Sequence, residues 1–186
     1  MSVSVIRRRR LPGVNPARVG ADSRRLLRAL DEAEAELAVS LIDDAEIRRL
    51  NRDYRATDRA TDVLAFAMRE GARAPGDAAV LGDVVISLDT AARQAQERGV
   101  SAADEVRTLL IHGILHLLGY DHERSMAEAR RMKAMERRLR AVLARGNPPP
   151  HLGGRSGRPG RDRTEPRPQG SGLSETPSAC VSRGRR

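Results

Sequence analysis

His112-Gly-Ile-Leu-His-Leu-Leu-Gly-Tyr-Asp-His122 holds three of the four histidines in a chain of 186 residues. His112 and His116 are four apart, so on a helix they share one face with β-carbons about 5–6 Å apart. That spacing suits two imidazoles closing on a single ion. Gly119 can take the left-handed conformation that ends a helix. The chain then turns, and His122 can swing back towards the first two. Three neutral imidazoles and one open position describe a catalytic zinc site with water as the fourth ligand. A lone histidine reads as a satisfied core or surface residue; three at this spacing, with a glycine at the bend, read as ligands.

The helix carrying the first two histidines is predicted over residues 102–118. Ser101 caps it, and Asp104 makes a shortened capping box. Val106, Leu109, Leu110, Ile111, Ile114, Leu115, Leu117 and Leu118 surround it almost completely with apolar side chains, which places it at the centre of the fold. A buried helix is a stiff mount for metal ligands. The same histidine spacing resembles the elongated zinc motif of the metzincin proteases. Those enzymes carry a glutamate directly after the first histidine as general base. Here that position is Gly113, which has no side chain to move a proton.

Three upstream segments join the histidine stretch: Leu50-Asn-Arg-Asp-Tyr-Arg55, Thr61-Asp-Val-Leu-Ala-Phe66 and Leu81-Gly-Asp-Val-Val-Ile-Ser87. Together, over roughly residues 35 to 140, they resemble the YbeY family of bacterial metal-dependent endoribonucleases that act in ribosomal RNA maturation. The resemblance implies that His112, His116 and His122 hold one Zn2+ per chain and that Arg55 is the basic residue needed beside it. A guanidinium suits that task, because its rigid fork holds a phosphate through two parallel hydrogen bonds. Ala65 and Ala67 depart from the family pattern, which has serine and proline there; both lie away from the histidine motif. Tyr120, Asp121 and Asp83 are candidates for orienting the histidine ligands.

Around this centre the resemblance implies an α+β domain with a four-stranded mixed sheet covered by about five helices. Strands are predicted at residues 2–6, 36–42, 62–68 and 81–88, the first of them as an edge or first strand. In the second, Leu37, Val39 and Leu41 share one side. Helices are predicted at 17–30, at a short segment after Asp43 or Asp44 carrying Ile47 and Leu50, at 89–98 ending on Gly99, at 102–118, and from Ser125 to about residue 143. Residues 51–61 read as a polar loop containing Arg55, and 71–79 as a flexible loop. Met126, Met132, Met135 and Leu139 are assigned to the core. Strand order and oligomeric state are left open by the pattern.

Composition bounds the rest. Aromatics make up 2% of the chain and Trp is absent, so aliphatic side chains must build the core. The formal charge is +9. Residues 146–186 hold 8 Arg against 3 acidic residues, so +5 of it lies in a stretch rich in Gly and Pro. The chain therefore divides into a domain at 1–145 and a disordered basic tail at 146–186. That tail is either inert or a source of non-specific attraction to RNA, and His151 within it is not counted as a ligand. Cys180 is the only cysteine, which fits a reducing cytosol. No apolar run is long enough for a bilayer, and Arg7 to Arg10 reverse the order of a signal peptide.

The expected function is a single-strand-specific, zinc-dependent endoribonuclease, cytoplasmic and acting with the ribosome and ribosomal RNA in small-subunit 3′-end processing and quality control. The alternatives are a zinc peptidase or amidase, which Gly113 discourages, and a non-catalytic ribosome-assembly factor with a structural metal. An open three-histidine site discourages the latter, because structural zinc is usually closed by four protein ligands.

Overall fold

The structure, a computed structural model, describes residues 2–68, 80–121 and 125–145. His122, the loop expected at 71–79, and the tail at 146–186 with His151 and Cys180 lie outside the described residues.

Among the described residues nine elements follow in order: β1 (Ser2–Arg7), α1 (Pro16–Ala29), β2 (Glu36–Ile42), α2 (Asp44–Arg55), β3 (Val63–Ala67), β4 (Val80–Ser87), α3 (Leu88–Arg98), α4 (Ala102–Leu117) and α5 (Met126–Ala144). The strands form one sheet in the order β1-β2-β4-β3. β1, β2 and β4 run parallel, and β3 pairs antiparallel with β4 at the far edge. This is the α+β arrangement with a mixed sheet that the sequence predicts, with β1 at an edge.

Alternation along the strands divides the apolar side chains between two faces. Leu37, Val39, Leu41, Val84 and Ile86 join Leu26, Leu27, Leu110 and Ile114 in the main core. Ile42, Leu64 and Val85 face the other way and pack with Ile47 of α2. Each such side chain contributes about 1.5–3 kcal/mol when fully buried. The core is aliphatic, as composition requires. Gly82, at a φ of 136°, lets the edge strand close in: a β-carbon there would lie 2.1 Å from the Phe66 carbonyl oxygen.

α4 is central, with Val106, Leu109, Leu110, Ile111, Ile114, Leu115 and Leu117 all buried. Ser101 caps it by accepting from the Asp104 amide. Its end is a Schellman turn: Gly119 N–H donates to the His116 carbonyl at 3.0 Å and Tyr120 N–H to that of Leu115 at 3.1 Å. Gly119 takes the expected positive φ, 83°. Two buried acids, Glu105 on the helix and Asp22 on α1, are both paired, Glu105 with Arg98 at 2.6 Å and Asp22 with Arg107 at 2.9 Å.

Two expectations need correction. α2 does not stop after Leu50; it continues to Arg55, and Ala56 caps it in the left-handed region at φ 53°. Its last turn is held from inside by buried Asn51, whose amide donates to the Arg59 carbonyl at 2.9 Å. Met126 is not core but 72% exposed. It precedes Met132 by six residues, which turns it roughly 120° away from the buried stripe of Met132, Leu139 and Leu143.

Candidate functional site

Along the second half of α4, residues 110–117, His112 and His116 are the two that are not fully buried. Their Nε2 atoms face each other 3.0 Å apart, with the rings edge to face at a centroid separation of 4.6 Å. Glu136 of α5 holds the other nitrogen of His112, with Nδ1 3.0 Å from Oε1. A carboxylate only accepts, so Nδ1 carries a proton towards Glu136 and Nε2 is the nitrogen turned to His116. Two imidazole nitrogens bound to one tetrahedral zinc lie about 3.3 Å apart, which the present spacing meets within a few tenths of an ångström. The donor set fits zinc for the same reason: borderline-soft nitrogens, one of them oriented by a carboxylate. Among the described residues, no three His, Cys, Asp or Glu side chains gather as a metal-holding group. The described part of the predicted site is thus the His112–His116 pair, and His122 lies outside it.

The pair opens on a polar cleft of about 480 Å³. Arg55, Thr61, Asp62, Val63 and Ala65 line it together with His112, Gly113, His116 and Asp121. The structure thus brings Arg55 and both described histidines together. Arg55 reaches the cleft from the exposed last turn of α2. Two other arginines of that helix, Arg48 and Arg52, are paired with acids. Arg48 donates from Nε and Nη2 to the two Asp58 oxygens, each at 2.8 Å, and Arg52 pairs with Asp53 at 3.2 Å. The Asp58 carboxylate raises the Arg48 pKa, and Arg48 in turn lowers that of Asp58. Arg55 has no such partner among the described residues.

Asp62 is fully engaged. It accepts from the Val63 amide at 2.9 Å, the Thr61 hydroxyl at 3.2 Å and the Gln94 amide at 3.0 Å. It shapes the entrance to β3. Of the three residues expected to orient the histidines, Asp121 walls the cleft, Tyr120 packs against the main core, and Asp83 pairs in register with Phe66 and Ala38. The residue found against a histidine is Glu136, which the sequence reading missed. Its signal was placement: four residues after buried Met132 and three before buried Leu139, an acid at the margin of an apolar stripe. Ala65 is a second correction. Although distant from the histidine motif in sequence, it lies in the wall of the same cleft.

Gly113 has a packing role that the sequence did not reveal. A β-carbon there would lie 2.7 Å from Cγ1 of buried Val84 and 3.2 Å from Cγ2 of Val63. The glycine lets α4 rest directly on β3 and β4, and no glutamate fits in its place. Gly113→Ala tests this, because two effects oppose each other. Helix propensity favours alanine by about 1 kcal/mol, while overpacking a core costs about 1–3 kcal/mol. The side chain it meets is β-branched and fully buried, so overpacking wins, and thermal unfolding shows a melting temperature lowered by several degrees. An unchanged or raised value would show that α4 has room to move.

Two facing imidazole nitrogens and a guanidinium lining one cleft are groups able to take a metal ion and an anion. Comparison with known proteins narrows the class. The sequence model of the family described as Endoribonuclease YbeY matches residues 17–144. The Geobacter metallireducens protein of that name is 49% identical over 146 residues, covering 78% of this chain and 97% of that one. The Aquifex aeolicus protein of the same name is 48% identical over 119 residues, covering 64% and 77%. A Thermotoga maritima protein whose structure was solved in solution superposes with a TM-score of 0.52 at 23% identity, over 84% of this chain and 99% of that one, which speaks to the fold alone. The chain belongs to the YbeY endoribonuclease family.

Proposed function

We propose that the chain is a zinc-dependent endoribonuclease that cuts single-stranded RNA in the cytoplasm, working with the ribosome on the 3′ end of small-subunit ribosomal RNA and in ribosome quality control. The observation that carries the reading is the pair of imidazole nitrogens 3.0 Å apart, lining one polar cleft with Arg55, in a member of an endoribonuclease family.

His112 and His116, with His122, would hold the zinc. Once bound, zinc would supply a water acidified towards neutrality and a charge that polarises a phosphoryl oxygen. The chain's own residues do the rest. Glu136 fixes the ring of His112 so that Nε2 is the nitrogen presented. Arg55 donates two hydrogen bonds to phosphoryl oxygens and offsets the charge that grows on them in the transition state. Asp121 orients the neighbouring ligands. Among the described residues no helix is long and apolar enough to cross a membrane. Residues 1–145 are the working unit, and the tail at 146–186 is dispensable to it.

The test is a comparison of substrates. Purified chain with zinc cuts single-stranded RNA, leaves duplex RNA and casein intact, and stops when a chelator is added. A chain ending at Arg145 gives the same rate and melting temperature. Cleavage of casein would transfer the site to the peptidases, and full zinc content without any cleavage would leave an assembly factor with a structural metal.

A further inference from the structure

Besides histidine the chain has only three aromatic rings, Tyr54, Phe66 and Tyr120. Tyr120 packs against the main core. The other two meet at the surface. Tyr54 is 70% exposed, and its ring stands edge-on to Phe66 with centroids 5.1 Å apart and planes at 67°. Phe66 is itself seated on the smaller apolar cluster, with Leu64 and Leu50. A solitary exposed ring needs no explanation. An exposed ring fixed against a second ring, in a chain whose buried core is aliphatic, is different. Its face is held in one place and left open to water.

Its position is informative. Tyr54 immediately precedes Arg55, so the two Cα atoms are about 3.8 Å apart. Phe66 immediately follows Ala65, in the cleft wall. Val63 and Ala65 turn to the α4 side of the edge strand β3, and Leu64 and Phe66 to its α2 side. The aromatic pair therefore stands just across one edge strand from the histidines. Met68, also exposed, extends the apolar surface two residues further along the same side.

We infer that Tyr54, braced by Phe66, is a subsite that stacks one unpaired nucleobase beside the phosphate held by Arg55. The inference rests on the endoribonuclease reading and adds a reason for single-strand preference. A base inside a duplex is covered on both faces by its neighbours, whereas an unpaired base can lay its π-face on a fixed ring. The stack needs the ring and not the hydroxyl.

The experiment uses the full zinc-loaded chain and a short single-stranded RNA. Binding is followed by quenching of tyrosine emission, which no tryptophan obscures, and cleavage by steady-state rates. Tyr54→Phe behaves as wild type, with binding of every Tyr54 variant followed by competition against the wild-type chain. Tyr54→Ala weakens binding and raises KM roughly five- to a hundredfold, while kcat stays within about twofold, the pattern of a lost ground-state contact. Tyr54→Leu keeps apolar bulk over Phe66 and still fails like alanine. An RNA lacking the base at the stacked position loses as much on wild type as Tyr54→Ala does on the intact RNA, and the two losses do not add. Unchanged KM in Tyr54→Ala, or full rescue by leucine, overturns the subsite while the nuclease stands. A wild-type chain that neither binds nor cuts the RNA overturns the endoribonuclease reading, and the subsite with it.

Discussion

His116→Ala leaves a chain that folds, holds little zinc and cuts no RNA. The expectation follows from how few groups the site uses. Catalytic zinc takes three protein ligands and keeps the fourth position open, so losing one leaves two imidazoles. Wild-type chain is expected to carry about one zinc, and the variant below roughly a tenth of that after dialysis. The fold survives because His116 faces the polar cleft and not the apolar core around α4. Glu136→Ala supplies the graded comparison. It removes the acceptor from His112 Nδ1 and no ligand, so affinity falls about 10–100-fold and zinc remains bound at high concentration. Metal analysis and circular dichroism on the same samples decide. Full zinc in folded His116→Ala would remove this histidine from the ligand set, and equal losses in both variants would show that Glu136 does more than orient a ring.

The parts of this site legible in sequence were those with a local period. β2 was placed to the residue because Leu37, Val39 and Leu41 alternate into one core. α4 began at Ser101 and ended before Gly119 because a cap and a left-handed glycine leave chemical signatures. Where a polar residue does the packing, the signal failed. Asn51 occupies the buried position in the last turn of α2, so the turn read as loop and Arg55 was left on it. Glu136 reaches its histidine across 24 residues of sequence, and nothing local marks that contact. The same holds for β3, whose edge position and antiparallel pairing are settled by partners at residues 82–86. Gly113 shows a third kind of gap. Its missing side chain was read as a lost proton-transfer group, but its cause is the van der Waals surface of Val84, visible only once the helix lies on the sheet.

Arg55→Ala lowers the rate of RNA cleavage by the order of a hundredfold or more while leaving zinc content and folding intact. The magnitude is that of removing one donor aimed at charge developing in the transition state. Folding is spared because Arg55 is exposed at the end of α2 and no buried group loses a partner with it. A surface substitution of this kind changes stability by less than about 0.5 kcal/mol. Arg55→Lys separates charge from geometry. Lysine restores the positive charge to the cleft but offers a point in place of a planar fork, so it recovers only part of the rate. Paired arginines of the same helix provide the control. Arg48 is engaged by Asp58 on both oxygens and stands away from the histidines, so Arg48→Ala changes the rate little. Single-turnover rates on one short single-stranded RNA, with zinc measured in each preparation, compare all three. A wild-type rate in Arg55→Ala would leave the histidine pair as the whole of the chemistry this cleft provides. An equal loss in Arg48→Ala would mean that the helix contributes general positive charge, and that the position of Arg55 at the cleft wall is incidental.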